Sequence, residues 1–319
     1  MTHQGTQDQA GPYFLGVDGG ASKTLAIVVD AQGRECGRGV AGSSNYAAVG
    51  LGQALTQLHL AIEQATKQSE CQRPFGAAWL GMAGVDRPED TALLLPHLQT
   101  LAGTIRLTND AELLLSAFDR AIGVALIAGT GSIALGRDRH SATTRAGGWG
   151  HILGDEGSGY EIGRQALQAA ARSADGRGPA TSLLERILQH WGLQRPDDLF
   201  EQVYQKTEKA DIARLSSLVF AAAQTGDRPA SKIIQLAAEE LALAALTVCR
   251  ALDFPDGPVP LALGGGLLIQ EVGFRWQVLR RIRRQRPVQS VLVEQPALSA
   301  ARAAITLLAK SEQINSPAT

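Results

Sequence analysis

Short apolar runs that stop at glycine-containing turns recur along the chain and predict β-strands. The run at residues 13–17 stops at Asp18-Gly19-Gly20, and another run begins at residue 25. The pattern returns at residues 124–128, where a second glycine turn breaks the run before residue 133. The predicted strands are residues 13–17, 25–30, 34–40, 75–82, 105–108, 124–128, 133–136, 259–263 and 288–293. Two halves that each open on a strand, a turn and a strand are therefore expected.

Between the strands, apolar residues at helical spacing predict helices. Leu51, Leu55, Leu58 and Ile62 illustrate this spacing, and the chain beyond residue 160 is richer still in such segments. The predicted helices are residues 51–67, 89–98, 111–118, 160–173, 181–190, 196–206, 212–224, 231–252, 273–284 and 297–309. Strands joined by crossover helices indicate an α/β protein with helices on both sheet faces and ligands at the strand ends. A length of 319 residues exceeds what one hydrophobic core usually supports, so two lobes are expected.

The composition is that of an ordinary globular protein, with 45% hydrophobic and 19% charged residues. A net charge of −1 provides no general attraction to nucleic acid or to a membrane surface. The basic run at residues 280–286 contains Ile282 and no aromatic residue, which predicts a solvated helix face. The most apolar helix, residues 233–252, contains Glu239, Glu240 and Arg250 and is predicted to be buried in the protein, not in a bilayer.

The three cysteines, Cys36, Cys71 and Cys249, lie far apart in the sequence. An odd number without a Cys-x-x-Cys pair indicates reduced thiols in a cytoplasmic protein, and argues against a disulfide framework or a zinc site. Residues 1–12 are polar and lack an apolar run, which predicts a flexible tail.

The two glycine turns are suited to binding phosphate groups, because backbone N–H groups without a neighbouring Cβ can approach an anion closely. Side-chain donors in these turns are Ser22, Lys23, Thr24, Thr130 and Ser132. Neither turn is a G-x-x-x-x-G-K-[ST] loop or a strand–G-x-G-x-x-G–helix unit, so those two nucleotide-binding folds are disfavoured. A longer glycine-rich stretch at residues 147–158, GGWGHILGDEGS, is too polar for a core and is predicted to hold the acceptor of a phosphoryl group.

These motifs, in this order, make the chain resemble the N-acetylglucosamine kinase branch of the BadF/BadG ATPase family, within the superfamily of actin-like ATPases and sugar kinases. The resemblance extends over residues 13–309. It is carried by GVDGG at 16–20, SSN at 43–45, ND at 109–110, GTGS at 129–132, GGWGHILGDEGS at 147–158 and LGGG at 263–266. The family's first turn is commonly D-G-G-G-T, and here Ala21 and Ser22 stand in its last two places.

The resemblance implies an α/β fold of two actin-like, ribonuclease H-like lobes with a central cleft, the second lobe being rich in helices. It implies a tail at residues 1–12 and an N-terminal lobe at residues 13–118. A C-terminal helix at residues 297–311 would complete that lobe, and residues 119–296 would form the C-terminal lobe.

The resemblance also assigns the site residues. ATP phosphates would be bound by Gly19, Gly20, Ser22, Thr24, Gly129, Thr130, Gly131 and Ser132, with Lys23 either at a phosphate or on the surface. Gly264, Gly265 and Gly266 would lie beneath the nucleoside, and Asp18 would hold Mg²⁺ through water. The sugar would contact Asn45, Gly148, Trp149, Asp155 and Glu156, and Asp110 would be the catalytic base.

Each of these residues also has a structural interpretation. Asp110 can be a helix N-cap, Asp18 a β-turn residue and Trp149 a core residue. Asp155 and Glu156 can be solvated loop acids, although two adjacent acids framed by glycines suit hydrogen bonding to sugar hydroxyls better. His151 is predicted to be structural.

The predicted function is ATP-dependent phosphorylation of the 6-hydroxyl of an amino sugar, with N-acetylglucosamine as the first choice. Glucosamine, N-acetylmannosamine and N-acetylmuramic acid are the alternative acceptors. An activator ATPase would need cysteines for an iron–sulfur cluster, and the second half offers only Cys249. A sugar-sensing regulator without catalysis would be expected to have lost Asp18 or Asp110. A cytoplasmic homodimer without nucleic-acid or membrane partners is expected.

Overall fold

The computed structural model of the chain describes residues 12–69, 71 and 73–315. The chain forms two compact units, of which the second is the continuous segment Arg120–Glu294. The first unit combines the chain up to Asp119 with the segment that begins at Gln295. The predicted flexible tail, residues 1–12, lies outside the described residues except for Pro12.

The first unit contains a five-stranded mixed sheet with the strand order β3-β2-β1-β4-β5. Its strands are β1 (Phe14–Gly19), β2 (Thr24–Val29), β3 (Glu35–Ala41), β4 (Phe75–Met82) and β5 (Ala102–Thr108). Strands β1, β2 and β3 form an antiparallel meander, whereas β4 and β5 run parallel to β1. The carboxyl ends of β1, β4 and β5 therefore meet at one edge of the sheet.

Helices cover both faces of this sheet. They are α1 (Tyr46–Val49), α2 (Leu51–Ser69), α3 (Pro88–Leu94) and a C-terminal helix (Pro296–Asn315), with 3₁₀ segments at Leu95–His97, Asp110–Ala117 and Asp119–Ala121. Helix α2 packs closely on β3, where a Cβ at Gly39 would lie 2.0 Å from the Ala61 carbonyl oxygen. The C-terminal helix packs closely on the other face, where a Cβ at Gly16 would lie 2.0 Å from the Ala297 carbonyl oxygen.

The second unit repeats the same topology with the strand order β10-β9-β6-β7-β8. Its strands are β6 (Gly123–Ala128), β7 (Ser132–Arg137), β8 (Thr143–Gly147), β9 (Val259–Gly264) and β10 (Val288–Leu292). Strands β6, β7 and β8 are antiparallel, and β9 and β10 run parallel to β6. The two glycine turns consequently occupy the same topological position, between the first and second strand of each sheet.

Most helices in the described part of the chain belong to the second unit. They are α4 (Gly150–Leu153), α5 (Gly159–Ala174), α6 (Leu183–Trp191), α7 (Asp198–Gln205), α8 (Lys209–Arg214), α9 (Ser216–Gln224), α10 (Arg228–Ala251), α11 (Gly266–Gln270) and α12 (Val272–Arg283). Helix α10 buries one side over its whole length, from Ala230 to Cys249. Of the helices in the described part of the chain, none combines the length and the apolar character of a membrane span.

The structure corrects several element predictions. The helix predicted at residues 212–224 is divided into α8 and α9, because Leu215 N donates to Ile212 O in an i→i−3 bond that tightens the chain there. The segment predicted as a helix at residues 111–118 is a 3₁₀ segment instead. The short elements α1, α4, β8 and α11 had no apolar periodicity from which to predict them.

Candidate active site

The first glycine turn is a tight reversal between β1 and β2, closed by a 2.9 Å bond from Gly20 N to Lys23 O. The backbone N–H groups of Ala21 and Ser22 donate to no other described residue, and both residues are exposed. A Cβ at Gly19 would lie 2.5 Å from the Ser44 Oγ, so only glycine fits there. The turn thus presents free backbone donors, as an anion site requires.

The loop after β3 lies against this turn. Thr24 is fully buried, and its hydroxyl donates to Gly42 O at 2.7 Å, so this hydroxyl has a structural partner. The Asn45 Oδ1 accepts from Ala47 N at 3.1 Å and caps α1. That Oδ1 would also lie 2.8 Å from a Cβ at Gly84, which places Asn45 beside the carboxyl end of β4.

Two carboxylates, Asp18 and Asp110, lie at the ends of β1 and β5. Burial and the nearby Asp110 charge raise the pKa of Asp18 to about 6, and Lys23 lowers it by a smaller amount. Burial also raises the pKa of Asp110, whose Oδ1 accepts from Ala111 N at 2.9 Å. Asp86 adds to this rise and accepts a 2.8 Å bond from the Asn109 side chain. Two half-buried acids with raised pKa values at the carboxyl edge of a sheet are typical of a functional site.

Asp110 does not cap the 3₁₀ segment with its side chain in the way the structural interpretation required. The N-cap is Asn109, whose Oδ1 accepts from Ala111 N at 2.9 Å. Asp110 shares that donor but is the first residue of the segment. Its carboxylate is therefore not needed as the cap.

The second glycine turn joins β6 to β7, and Gly129 N donates to Gly131 O at 2.9 Å. The first residues of α5 fix this turn: Gly159 N donates to Gly129 O at 2.8 Å, and Tyr160 N donates to Thr130 O at 3.3 Å. Thr130 is exposed, and the N–H groups of Thr130 and Gly131 donate to no other described residue. This turn also offers free backbone donors.

Asp155 links the glycine-rich stretch to the second turn. Its Oδ1 accepts from Ser132 N at 3.1 Å, and its Oδ2 accepts from the Lys209 ammonium at 2.8 Å. The carboxylate is buried, and a Cβ at Gly131 would lie 2.9 Å from it. Asp155 also has a left-handed φ of 63°, a conformation that costs free energy in a non-glycine residue and that clusters at functional sites. We call Lys209, Asp155 and Ser132 the Asp155 brace.

Most other residues of the glycine-rich stretch at residues 147–158 are exposed or form hydrogen bonds through their backbone. Ser132 Oγ donates to the backbone oxygen of Glu156 at 2.7 Å, and the exposed Glu156 carboxylate has no partner among the described residues. Trp149 is 64% exposed, so its interpretation as a core residue is wrong. Gly148 N donates to Ser132 O at 3.1 Å, and its φ of 71° explains why glycine is needed there. His151 makes an edge contact with Tyr160, with ring centroids 4.9 Å apart.

The third glycine turn, Gly264–Gly266, adjoins the second turn within the same unit. Gly264 ends β9 beside Ile127 of β6. Gly265 has a φ of 84°, and a Cβ there would lie 2.4 Å from Ala128 O. Gly266 is exposed, and a Cβ on it would meet no atom within 4 Å. Gly264 is buried, so the backbone of this turn is uncovered only toward Gly266.

The predicted site residues therefore fall into two groups. The first unit brings together Asp18, Gly19, Gly20, Ser22, Lys23, Thr24, Asn45 and Asp110. The second unit brings together Gly129, Thr130, Gly131, Ser132, Gly148, Trp149, Asp155, Glu156, Gly264, Gly265 and Gly266. Sequence reasoning missed Lys209 and Asp86, because neither lies in a glycine motif and Lys209 is 54 residues from its partner.

The repeated five-stranded mixed sheets form the actin-like α/β fold, as predicted from the sequence. Residues 15–292 match the model of the BadF/BadG/BcrA/BcrD ATPase family, and the chain belongs to this family. The resemblance predicted from the motifs is thereby confirmed.

Named relatives in this family include sugar kinases. The chain is 34% identical over 274 residues to an N-acetylmuramic acid/N-acetylglucosamine kinase of Clostridium acetobutylicum, covering 84% of this chain and 89% of that protein. It is 35% identical over 269 residues to an N-acetyl-D-glucosamine kinase of Dictyostelium discoideum, covering 79% and 84%. A crystal structure of a Chromobacterium violaceum protein, provisionally assigned as an N-acetylglucosamine kinase, matches with a TM-score of 0.71 at 27% identity, covering 94% of this chain and 99% of that one.

Proposed function

We propose that this protein is an ATP-dependent kinase that phosphorylates the 6-hydroxyl of an amino sugar, with N-acetylglucosamine as the first acceptor. The observation that carries the proposal is the pair of half-buried carboxylates with raised pKa values, Asp18 and Asp110, at the carboxyl edge of one sheet. Family membership and the names of the relatives support it.

Asp110 is the proposed general base. Transfer of a phosphoryl group needs a group that accepts the proton of the attacking hydroxyl, together with in-line positioning. A half-buried carboxylate with a raised pKa is matched to this task, since its pKa lies closer to neutral pH than that of a fully solvated acid. Its Oδ1 is held by Ala111 N, so the second oxygen is left for the sugar hydroxyl.

Asp18 is the proposed holder of Mg²⁺. In the described part of the chain, no three acidic, histidine or cysteine side chains are arranged around a metal position. A single carboxylate fits Mg²⁺ all the same, because this ion commonly keeps several waters and is bound by one or two carboxylates and phosphate oxygens. Bound Mg²⁺ would neutralise charge on the phosphates. The free N–H groups of Ala21, Ser22, Thr130 and Gly131 are the proposed phosphate donors of the protein.

For the acceptor, we propose contacts from Asn45, Gly148, Trp149, Asp155 and Glu156. The exposed Trp149 ring is suited to stacking on the apolar face of a sugar. The free Glu156 carboxylate can accept hydrogen bonds from sugar hydroxyls. Both Asp155 oxygens already accept one bond each, from Ser132 N and from Lys209, so the main role of Asp155 is to hold the second turn. Glucosamine, N-acetylmannosamine and N-acetylmuramic acid remain the alternative acceptors.

A coupled assay tests the proposal directly. ADP release is measured with ATP and Mg²⁺ in the presence of each amino sugar and its N-acyl form. Acceptor-dependent ADP release and a phosphosugar product are expected. Acceptor-independent ATP hydrolysis would favour an activator ATPase, and acceptor binding without turnover would favour a sugar-sensing regulator.

Replacing Asp110 by asparagine tests the assignment of the base. Asparagine can still accept from Ala111 N, so the segment is expected to stay folded while proton transfer is lost. We expect kcat to fall by roughly 10²–10⁴-fold, with acceptor affinity largely kept. Steady-state kinetics and acceptor titration by calorimetry measure the two quantities. The matched control is E63Q, which removes an exposed carboxylate of α2 in the same unit, and turnover of D110N close to that of E63Q would refute the assignment.

A further inference from the structure

Arg145 lies at the edge of the proposed acceptor site and is the subject of this inference, which rests on the proposed function. Strand β8 carries Arg145 and ends at Gly147, after which Gly148 follows. Both glycines have left-handed φ angles, 76° and 71°, and they turn the chain back toward the strand. As a result, the Arg145 guanidinium carbon lies 5.0 Å from the centroid of the Trp149 ring.

Arg145 has an aromatic ring as its partner and, among the described residues, no carboxylate partner, unlike the arginines that form ion pairs. Ion pairs are formed by Arg34, Arg38, Arg139, Arg164, Arg177, Arg195, Arg214 and Arg281. Arg145 is exposed, and no described carboxylate lies within ion-pair distance of it. An arginine stacked on an aromatic ring keeps its N–H edge available for bidentate bonds to a carboxylate.

The surface beside Trp149 combines apolar side chains with charges of both signs. Trp149 is followed in α4 by Ile152 and Leu153, which are 84% and 75% exposed. The free Glu156 carboxylate is also near, since a Cβ at Gly154 would lie 3.1 Å from Trp149 Cβ and 3.4 Å from Glu156 Oε2. The Arg145 charge favours an acidic substituent on its own side of a sugar stacked on Trp149 and disfavours an ammonium group there.

We propose that Arg145 determines acceptor specificity by binding the carboxylate of an acidic N-acetylated amino sugar, such as the lactyl group of N-acetylmuramic acid. The cation adds a contribution to acceptor binding that depends on the charge of the acceptor. The carboxylated sugar gains a charge-assisted bond, neutral N-acetylglucosamine gains none, and the ammonium group of glucosamine is repelled. The 6-hydroxyl stays free for phosphorylation in all three.

The test compares kcat/KM for N-acetylmuramic acid, N-acetylglucosamine and glucosamine in the wild-type protein, R145Q and R145E. For R145Q, the ratio of kcat/KM for the carboxylated acceptor to that for the neutral one is expected to fall by about tenfold to hundredfold. R145E is expected to raise the ratio for glucosamine over N-acetylglucosamine. Added salt is expected to lower the wild-type ratio of kcat/KM for the acidic sugar to that for the neutral one, because an exposed pair is screened.

The matched control is R139Q, which removes an exposed arginine charge that is paired with Asp253 in the same unit. This variant is expected to leave both ratios unchanged. Equal effects of R145Q and R139Q, or turnover of the neutral sugar without turnover of the acidic one, would overturn the role of Arg145 and leave the kinase proposal standing. Failure of the wild-type protein to phosphorylate any of the three sugars would refute the proposed function itself.

Discussion

Asp18 illustrates how one side chain links burial, charge and function. Its carboxylate has no hydrogen-bond donor among the described groups, and its pKa of about 6 reflects burial and the Asp110 charge. Ionised Asp18 is therefore destabilising until a cation is bound beside it. A group of this kind suits a site whose positive partner arrives with the substrate.

The first stability prediction concerns D18N in the absence of nucleotide and metal. Because the folded pKa is raised above 3.8, the stabilising effect of protonated Asp18 is complete below pH 3.8 and is lost as the pH rises through about 6. The wild-type protein should therefore be less stable than D18N at pH 7.5, by about 3 kcal/mol at most, and similar to it near pH 4. Thermal unfolding across this pH range measures the difference.

E63Q is the control, because it removes an exposed acid of α2 in the same unit. A D18N curve that stays parallel to the wild-type curve from pH 4 to 7.5 would contradict the raised pKa. Adding Mg²⁺ and ATP at pH 6 should release protons from Asp18, which calorimetry in buffers of different ionisation enthalpy can detect.

At the scale of elements, the Asp155 brace holds the glycine-rich stretch, the second turn and the start of α8 together. Asp155 is 6% exposed at its side chain and Lys209 is 35% exposed. Removing the cation would leave a buried carboxylate with one remaining bond to Ser132 N. The turn and the stretch are thus expected to loosen together.

K209M is predicted to lower the free energy of unfolding by about 1–2 kcal/mol, less than a fully buried pair would give, because Lys209 is partly solvated. It is also predicted to raise KM for ATP, since the second turn would be less fixed. Urea denaturation and steady-state kinetics are the measurements. K206M is the matched control, because Lys206 pairs with Glu201 on the surface, where both side chains are 57% exposed, and such pairs contribute little. A K209M protein as stable as K206M would contradict the brace.

Sequence reasoning succeeded where local patterns determine structure. Strand β4 was predicted with its observed bounds, Phe75–Met82, because it is a continuous apolar run that ends at a glycine. The glycine turns were recognised because only glycine allows such close approaches, as Gly19 and Gly265 show. The main strands of both units were therefore predicted from the sequence.

Long-range contacts limited the prediction of the site. No local signal joins Lys209 to Asp155, and none distinguishes the structural hydroxyl of Thr24 from a free one. Asp86 affects Asp110 only because β4 and β5 are adjacent in the sheet. Short elements such as α4 depend on the glycines around them more than on propensity, so their residues carry no helical pattern.

At the scale of the whole molecule, the two units share a strand order but differ in continuity. The second unit is one uninterrupted segment. The first unit also includes the helix Pro296–Asn315, which follows the second unit in the sequence. That helix covers a small apolar layer formed by Phe14, Ile27, Val29 and Ala77. The first unit therefore has an incomplete core without it.

A chain that ends at Glu294 tests this dependence. Removing the helix should expose the apolar layer, so the amides of β1 and β4 are expected to lose protection from hydrogen exchange. The amides of β6 and β9 should keep theirs. G16V in the full-length chain should give the same pattern, because a side chain there would collide with Ala297. Unchanged protection of β1 in the shortened chain would show that the first unit is stable without the helix.

The position of this helix also has a consequence for biosynthesis. Domains usually fold in the order in which the ribosome produces them. Here the earlier unit must wait, with one face of its sheet uncovered, until all of the later unit has been translated. The later unit can reach its native state first, and the nascent first half is the stage at which a chaperone would be of most use.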